Sequence, residues 1–323
     1  MKRVLFITYY WPPSGKASLH WPLAVIRHLP NFDWDPVVLT VENESFTEKD
    51  YSLLNEINPA LKVYKTKAAE VFNLYKMFIG KKKDESLSVS ETMSKDKGFR
   101  QRISLWIRMN LFVPDARVLW YPSAVKSGKK LLELLKTNSE PIDVIISIGT
   151  PHSTHLIGKK LSRIFNIPHI PLFTDPWTSI SYYKKFNRNF LARAIDNRFE
   201  KKVIENSTAV IFVTNNTRSE YISKYPTLRN KSFVLYWGYN EENFTQFPES
   251  KQHPGNEKVL LHTGNLFDYQ NPVNLWNTVR NRINNGENLR IRFTGTVGPA
   301  IIPSLWNAIL FFPPNDALLP RPK

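Results

Sequence analysis

The sequence predicts an α/β fold: an open, mostly parallel, doubly wound sheet, followed by an incomplete second one. Three observations lead there. Short apolar runs of strand length alternate with stretches of helical spacing from Val4 to about residue 310. Strands separated by helices need right-handed crossovers, which set the strands parallel in one sheet. The alternation breaks off in a polar stretch at 238–257 and then restarts.

The first strand is the apolar run Val4–Thr8, which meets the loop YYWPPSGKAS and then helical spacing over 19–29. Strands follow at 36–41 (PVVLTV) and, more weakly, at 61–67 (LKVYKTK). The segment 68–100 is polar and lysine-rich, offers little to bury, and is expected to be a mobile insertion. Helices are predicted within 101–113 and 120–137, then strand 143–149, helix 154–165, strand 169–175, helix 188–206 and strand 209–214. A short helix at 216–225 and strand 232–237 complete an N-terminal domain over 1–237. After the linker come strand 258–264, helix 272–284, strand 289–295 and a short helix at 302–310. Two strand-helix units are too few for a closed doubly wound domain, so 258–323 reads as a partial one. The tail FFPPNDALLPRPK is expected to be irregular, because proline removes backbone donors and restricts the residue before it.

Composition narrows the function. The 323 residues are 42% hydrophobic and 13% aromatic, which describes a folded protein. The absence of cysteine excludes disulfides and thiolate zinc sites and fits a reducing compartment. The opening MKR and its apolar run imitate a signal peptide, but the run stops at Trp11-Pro12-Pro13 without a cleavage site. No run approaches the roughly 18 apolar residues that span a bilayer. A cytoplasmic protein is expected. Its net charge of +16 favours polyanions. With no zinc finger, RNA-recognition signature or basic zipper, an anionic membrane surface ranks ahead of nucleic acid, and attachment to the inner face of the plasma membrane is an expectation.

The loop after the first strand fails as a Walker motif, since Tyr10 and Ala17 stand where a glycine and a hydroxyl are needed. Gly15 still permits close backbone approach, and Lys16 before a helix can add charge for a phosphate; a solvated turn is the other reading. Asp33-Trp34-Asp35 has the spacing of a metal-binding acidic pair, but lies between helix and strand at the edge away from ligands, as a plain turn would. Glu241 and Glu249 are spaced like a donor-binding glutamate pair, but Pro248 intervenes within linker sequence. His152 and His155, in GTPHSTHLIG after a strand, are candidates to hydrogen-bond a sugar or phosphate, or else structural residues. Asp175 and Trp177 end the next strand, where a carboxylate can take sugar hydroxyls and an indole the apolar face of the ring. Capping of a turn before Pro176 is the alternative for Asp175. Arg100, Arg102, Trp106 and Arg108 belong to a basic, aromatic-rich helix suited either to a lipid headgroup layer or to a core position with solvated arginines.

YYWPPSG, LPNFDWDPVVLT, LFVPDAR, TPHSTHL, DPWTSISYY and a final GTV together resemble bacterial glycosyltransferases of the GT-B fold. The resemblance is to the large retaining group (glycosyl transferase family 4-like) that builds surface polysaccharides, and it runs from Met1 to about Leu305. It implies two Rossmann-like domains facing a cleft, the first receiving a glycan or lipid-linked acceptor and the second a nucleotide-sugar donor, with no metal cofactor. Carried over residue by residue, Gly15 and Lys16 border the donor diphosphate, and Ser14, His152, His155, Asp175 and Trp177 line the acceptor and sugar side. Gly264 opens the donor-side loop, with Asn265 beside it. No general base is implied, because the leaving phosphate can take the acceptor's proton. The sequence departs from the pattern at Lys16, which replaces a glycine, and at Leu172 and Thr174, where relatives carry aspartate and arginine. Asn265 and Gln270 stand near where relatives place cations, and the base pocket and glutamate pair are missing. The competing expectation is a truncated, non-catalytic remnant that binds a glycan or partner.

Overall fold

The computed structural model describes residues 1–42, 49–68, 99–180, 188–239, 241 and 257–309. The bulk of the expected insertion, the linker and the tail lies outside the described residues. The chain divides into two compact units, Met1–Glu241 and Glu242–Lys323.

The first unit is an α/β layer structure on a seven-stranded sheet. Its strands are β1 (Lys2–Ile7), β2 (Trp34–Val41), β3 (Lys62–Thr66), β4 (Val144–Gly149), β5 (His169–Phe173), β6 (Val210–Phe212) and β7 (Ser232–Val234). They lie in the order β3-β2-β1-β4-β5-β6-β7, every neighbouring pair parallel. The helices are α1 (His20–His28), α2 (Phe99–Asn110), α3 (Tyr121–Thr137), α4 (Ser153–Phe165), α5 (Phe190–Asn206) and α6 (Asn215–Lys224). This is the Rossmann order, with its reversal between β1 and β4.

Alternation along β1 divides the core between two faces. Leu5 and Ile7 pack with Val37, Leu39 and Ile145 against Leu131 and Leu135 of α3 and Ile157 and Leu161 of α4. Val4 and Phe6 pack with Val38 and Val144 against Trp21, Leu23 and Ile26 of α1. Both faces of the central strands are covered, which is why these runs are continuously apolar rather than alternating. Further along the sheet, Phe173 and Phe212 pack against Val203 and Ile204 of α5 and Tyr221 of α6.

The last strand is shorter than the run SFVLYW suggests. β6 has only three residues, and the ladder ends where Leu235 N donates to the Phe212 carbonyl at 2.9 Å. The chain then leaves the sheet, and the Tyr236 carbonyl accepts from Trp21 Nε1 at 3.2 Å. Asp33-Trp34-Asp35 is a turn and strand start. Asp33 adopts φ 59°, closing a short helical turn, and Asp35 pairs with Arg3 at 3.1 Å.

The second unit contains β8 (Lys258–Thr263) and β9 (Leu289–Thr294), paired in parallel, with helices α7 (Val273–Asn284) and α8 (Ile302–Ile309). Trp276, Ile301 and Leu305 form its core beneath Ile291 and Phe293. Val259, Leu260 and Leu261 of β8 are exposed among the described residues.

Candidate functional site

In a parallel sheet the C-terminal strand ends share one edge, and β1, β4 and β5 are consecutive neighbours there. The loops after them carry Gly15 and Lys16, Thr150, and Asp175. These are the residues the structure brings to one edge, at the point where strand order reverses.

The loop after β1 is held from below. Thr8 Oγ1 donates to the Tyr10 carbonyl at 3.0 Å, and Thr40 Oγ1 to the Tyr9 carbonyl at 3.3 Å. The Tyr9 ring stands edge-on to buried Trp120 at 5.5 Å, and the Arg117 guanidinium lies over it at 5.0 Å. Ser14, within the loop, is fully buried, its amide bonded to the Trp11 carbonyl at 3.0 Å. The expectation that Ser14 meets an acceptor is therefore corrected, because its hydroxyl does not reach the surface. Gly15 and Lys16 are half-buried, and Lys16 precedes the short helical turn Ala17–Leu19 that leads into α1.

The sequence reading passed over Asp115. Its carboxylate accepts from Ser153 N at 2.8 Å and from Ser153 Oγ at 3.0 Å, and so caps α4 from a segment 38 residues away. It also accepts from Arg117 N at 2.9 Å, and burial pushes its carboxyl above the usual carboxylate range. The signal lay in the block LFVPDAR, but nothing local in it names Ser153 as partner.

His152, His155 and Trp177 need correction as sugar ligands. The His152 ring stacks on the Trp177 indole at 5.0 Å and 3°. Trp177 is fully buried, its Nε1 donating to Asp196 Oδ1 and its amide to Tyr221 OH, both at 2.7 Å. His155 is also fully buried; its Nδ1 and His169 Nε2 share Ser147 Oγ at 2.8 and 2.7 Å. Burial brings the His152 and His169 pKa values down to about 3 and that of His155 well below its ordinary value. The first turn of α4 lies on β4 and β5, so its histidines point into the sheet rather than off its edge. Gly149 makes the room. A Cβ there would sit 2.4 Å from His155 Nε2 and 2.7 Å from His152 Nδ1.

Asp175 stays exposed and accepts from Thr150 Oγ1 at 3.0 Å. Thr174 Oγ1 ties the two loops together, donating to the Gly149 carbonyl at 2.5 Å and accepting from Thr150 N at 3.1 Å. The hydroxyl-carboxylate pair Thr150–Asp175 thus replaces the expected pairing of Asp175 with an indole. Behind it, buried Glu200 accepts from Thr178 N at 3.1 Å and from Lys224 Nζ at 2.9 Å, fixing the turn after Asp175.

In the second unit both strands end in Thr-Gly, and the two turns lie against each other. Gly264 has φ 115° and Gly295 φ 143°. A Cβ on Gly295 would stand 2.3 Å from the Gly264 carbonyl oxygen. Asn265 Oδ1 accepts from Thr296 N at 3.0 Å, and Asp268 Oδ1 from Ala300 N at 2.9 Å. Asn265 is therefore committed to holding the loop after β9, and Gly295 and Asp268 join it as residues the sequence reading missed. Gly295→Ala is expected to destabilise this unit by about 2 kcal/mol, because neither φ nor a backbone oxygen can give way. Amide hydrogen exchange over 258–309 checks it; unchanged protection there would contradict the packing described.

Trp106 is exposed on α2 and Arg108 is half-buried; the side chains of Arg100 and Arg102 lie outside the described set. A cavity of about 220 Å³ lies at the opposite end of the first sheet, between Met1, Ile26, Asp35 and Ile57. Among the described residues no three His, Cys, Asp or Glu side chains are placed to hold a metal ion, and no helix is long and apolar enough to cross a membrane.

No protein-family model matches the chain, and no curated protein matches it. Solved structures with a similar course include Acinetobacter baumannii MurG, at 10% identity and TM-score 0.38, over 91% of this chain and 66% of that one. Anabaena HepE in complex with UDP and glucose has 14% identity and TM-score 0.46, over 95% and 72%. A UDP-glucosyltransferase from Polygonum tinctorium has 10% identity and TM-score 0.46, over 90% and 65%. The chain thus spans about two thirds of the length of these structures.

Proposed function

We propose that the chain is a glycosyltransferase that moves a sugar from a nucleotide-sugar donor to a glycan or lipid-linked acceptor. The observation that carries this reading is the gathering of Gly15, Lys16, Thr150 and Asp175 on three adjacent strand ends at the reversal point of a Rossmann-ordered sheet. In this reading Thr150 and Asp175 take sugar hydroxyls. Lys16, at the start of a helical turn, meets the negative charge that grows on the leaving diphosphate. The retaining, hexosyl-type chemistry implied by the sequence resemblance needs no protein base, since the phosphate takes the acceptor's proton.

A second reading, a glycan- or partner-binding protein without turnover, is favoured by the loop Gly264–Gln270, which carries Asp268 and no cation to meet a diphosphate, and where Asn265 is already bonded to the backbone. Isothermal titration of the 323-residue chain with UDP- and GDP-sugars, followed by a labelled-sugar transfer assay, separates the two. Donor binding with sugar transfer, however slow, supports the first, with Lys16→Ala weakening donor affinity about tenfold, the size of one charge-assisted contact. Donor binding without transfer supports the second reading. No affinity for either donor class refutes the first.

A further inference from the structure

The two helix ends that meet on the flank of the first unit carry apolar side chains that nothing in the proposed function uses. Asn110, the last residue of α2, accepts from the amide of Asn189 at 2.6 Å, and the Met109 carbonyl accepts from Arg188 Nε at 3.1 Å. Asn189 caps α5, its side chain accepting from Ala192 N at 2.7 Å. The start of α5 is thereby fastened to the end of α2. Phe190 is 80% exposed and Leu191 66%, with Ile195 one turn further on. On the other side of the junction Leu111 is exposed, as are Trp106 (50%) and Ile103 on α2. Six large apolar residues are thus exposed on or beside the two helices that meet at this junction, which marks it as a candidate contact surface.

Charge around this junction is of one sign. Arg193, Arg198, Lys201 and Lys202 are exposed on α5. The acids on the same helix before Glu205 are Asp196 and Glu200, and both are turned inward. Asp196 lies 2.5 Å from Arg188 and Glu200 lies 2.9 Å from Lys224. The sequence of α2 contains three arginines and no acid. Sorting acids to the buried face and cations to the open one leaves apolar anchors ringed by positive charge. A second copy of the chain would set these cations against their own kind, since a two-fold interface repeats the same patch on both sides. A tryptophan and aliphatic residues among basic ones match the boundary between headgroups and acyl chains.

We propose that the open faces of α2 and the first turns of α5 form one surface that seats on an anionic lipid bilayer. Phe190, Leu191 and Trp106 enter the headgroup boundary, while the α5 cations meet lipid phosphates. The surface is independent of the sheet-edge site, so its test and the donor titration can fail separately.

Co-sedimentation of the full chain with phosphatidylcholine vesicles and with vesicles containing phosphatidylglycerol reads this directly. Binding is expected to the anionic vesicles alone and to fall with added salt. F190S/L191S and, separately, R193E/R198E are each expected to lower vesicle affinity at least tenfold, each basic residue counting for about fivefold. All four side chains are exposed, so the thermal midpoint should not move. Equal binding to neutral vesicles, binding indifferent to both double variants, or no binding would overturn the proposal. So would sedimentation showing a dimer that F190S/L191S dissolves while vesicles are ignored, which would assign the face to a second copy.

Discussion

Lowering the pH from 7.5 to 5 is expected to remove up to about 4 kcal/mol of folding stability through His152 and His169. Both rings are buried neutral, with pKa values brought down to about 3 by desolvation. The sign follows from where the protons go. In the unfolded chain these imidazoles titrate near 6.5, so below that pH the unfolded state binds protons that the fold refuses. Their stabilisation is complete above pH 6.5 and is lost progressively as pH falls towards about 3. His155, lowered by burial and by the neighbouring histidines, acts in the same direction. Asp115 and Asp196, both raised by burial, oppose it in part, because the fold accepts their protons earlier than the unfolded chain does. A domain rarely has more than 5–15 kcal/mol of stability, so the loss is large. Urea denaturation at pH 7.5, 6.5, 5.5 and 5 measures it. His169→Gln, which can still meet Ser147, is expected to flatten the dependence by about one proton. A stability that stays level from pH 7.5 to 5 would contradict neutral burial of these rings.

The second large effect is expected from a single methyl group. Gly149→Ala places a Cβ 2.4 Å from His155 Nε2 and 2.7 Å from His152 Nδ1. Neither ring can retreat, since His155 packs on Phe173 at 4.7 Å and His152 on Trp177 at 5.0 Å. Overpacking at such a position costs about 3 kcal/mol. The Gly149 carbonyl also accepts from Thr174, which aligns Thr150 with Asp175, so the sheet-edge pair should shift as the strand end moves. Thermal denaturation and sugar-ligand affinity are expected to fall together in this variant. An unchanged midpoint would show that the rings have room the structure does not give them.

Most elements were legible in the sequence because their information is local. The continuous apolar runs of β1, β2 and β4 announce strands covered on both faces, and the spacing of α3 and α4 announces helices with one buried side. The loops that end β1, β4 and β5 could also be picked out as ligand-side loops once the strands were known. Strand ends were less legible where a partner strand sets them, as at Leu235, whose last ladder bond depends on the length of β6.

Side-chain roles at the site were less legible. Sequence placed His152, His155, Asp175 and Trp177 near strand ends, and this is where they lie. Whether each points off the edge or under the neighbouring helix depends on how α4 sits over β4 and β5. Proximity in sequence does not encode that. Asp115 and Ser153 are 38 residues apart, and their bond exists only because the LFVPDAR segment crosses the start of α4.

The sequence by itself determined the α/β class, the order of strands and helices, the positive charge and the loops with glycine and lysine where a ligand would meet the sheet. These follow from periodicity and composition, which any short window of the chain carries. Only the tertiary structure decided which strands became neighbours across the reversal point. It also buried three histidines and an indole while leaving Asp175 and Thr150 open, and it joined the exposed ends of α2 and α5. Each outcome is a matter of which surfaces lose water to one another, and segments distant in the chain settle that only when they pack.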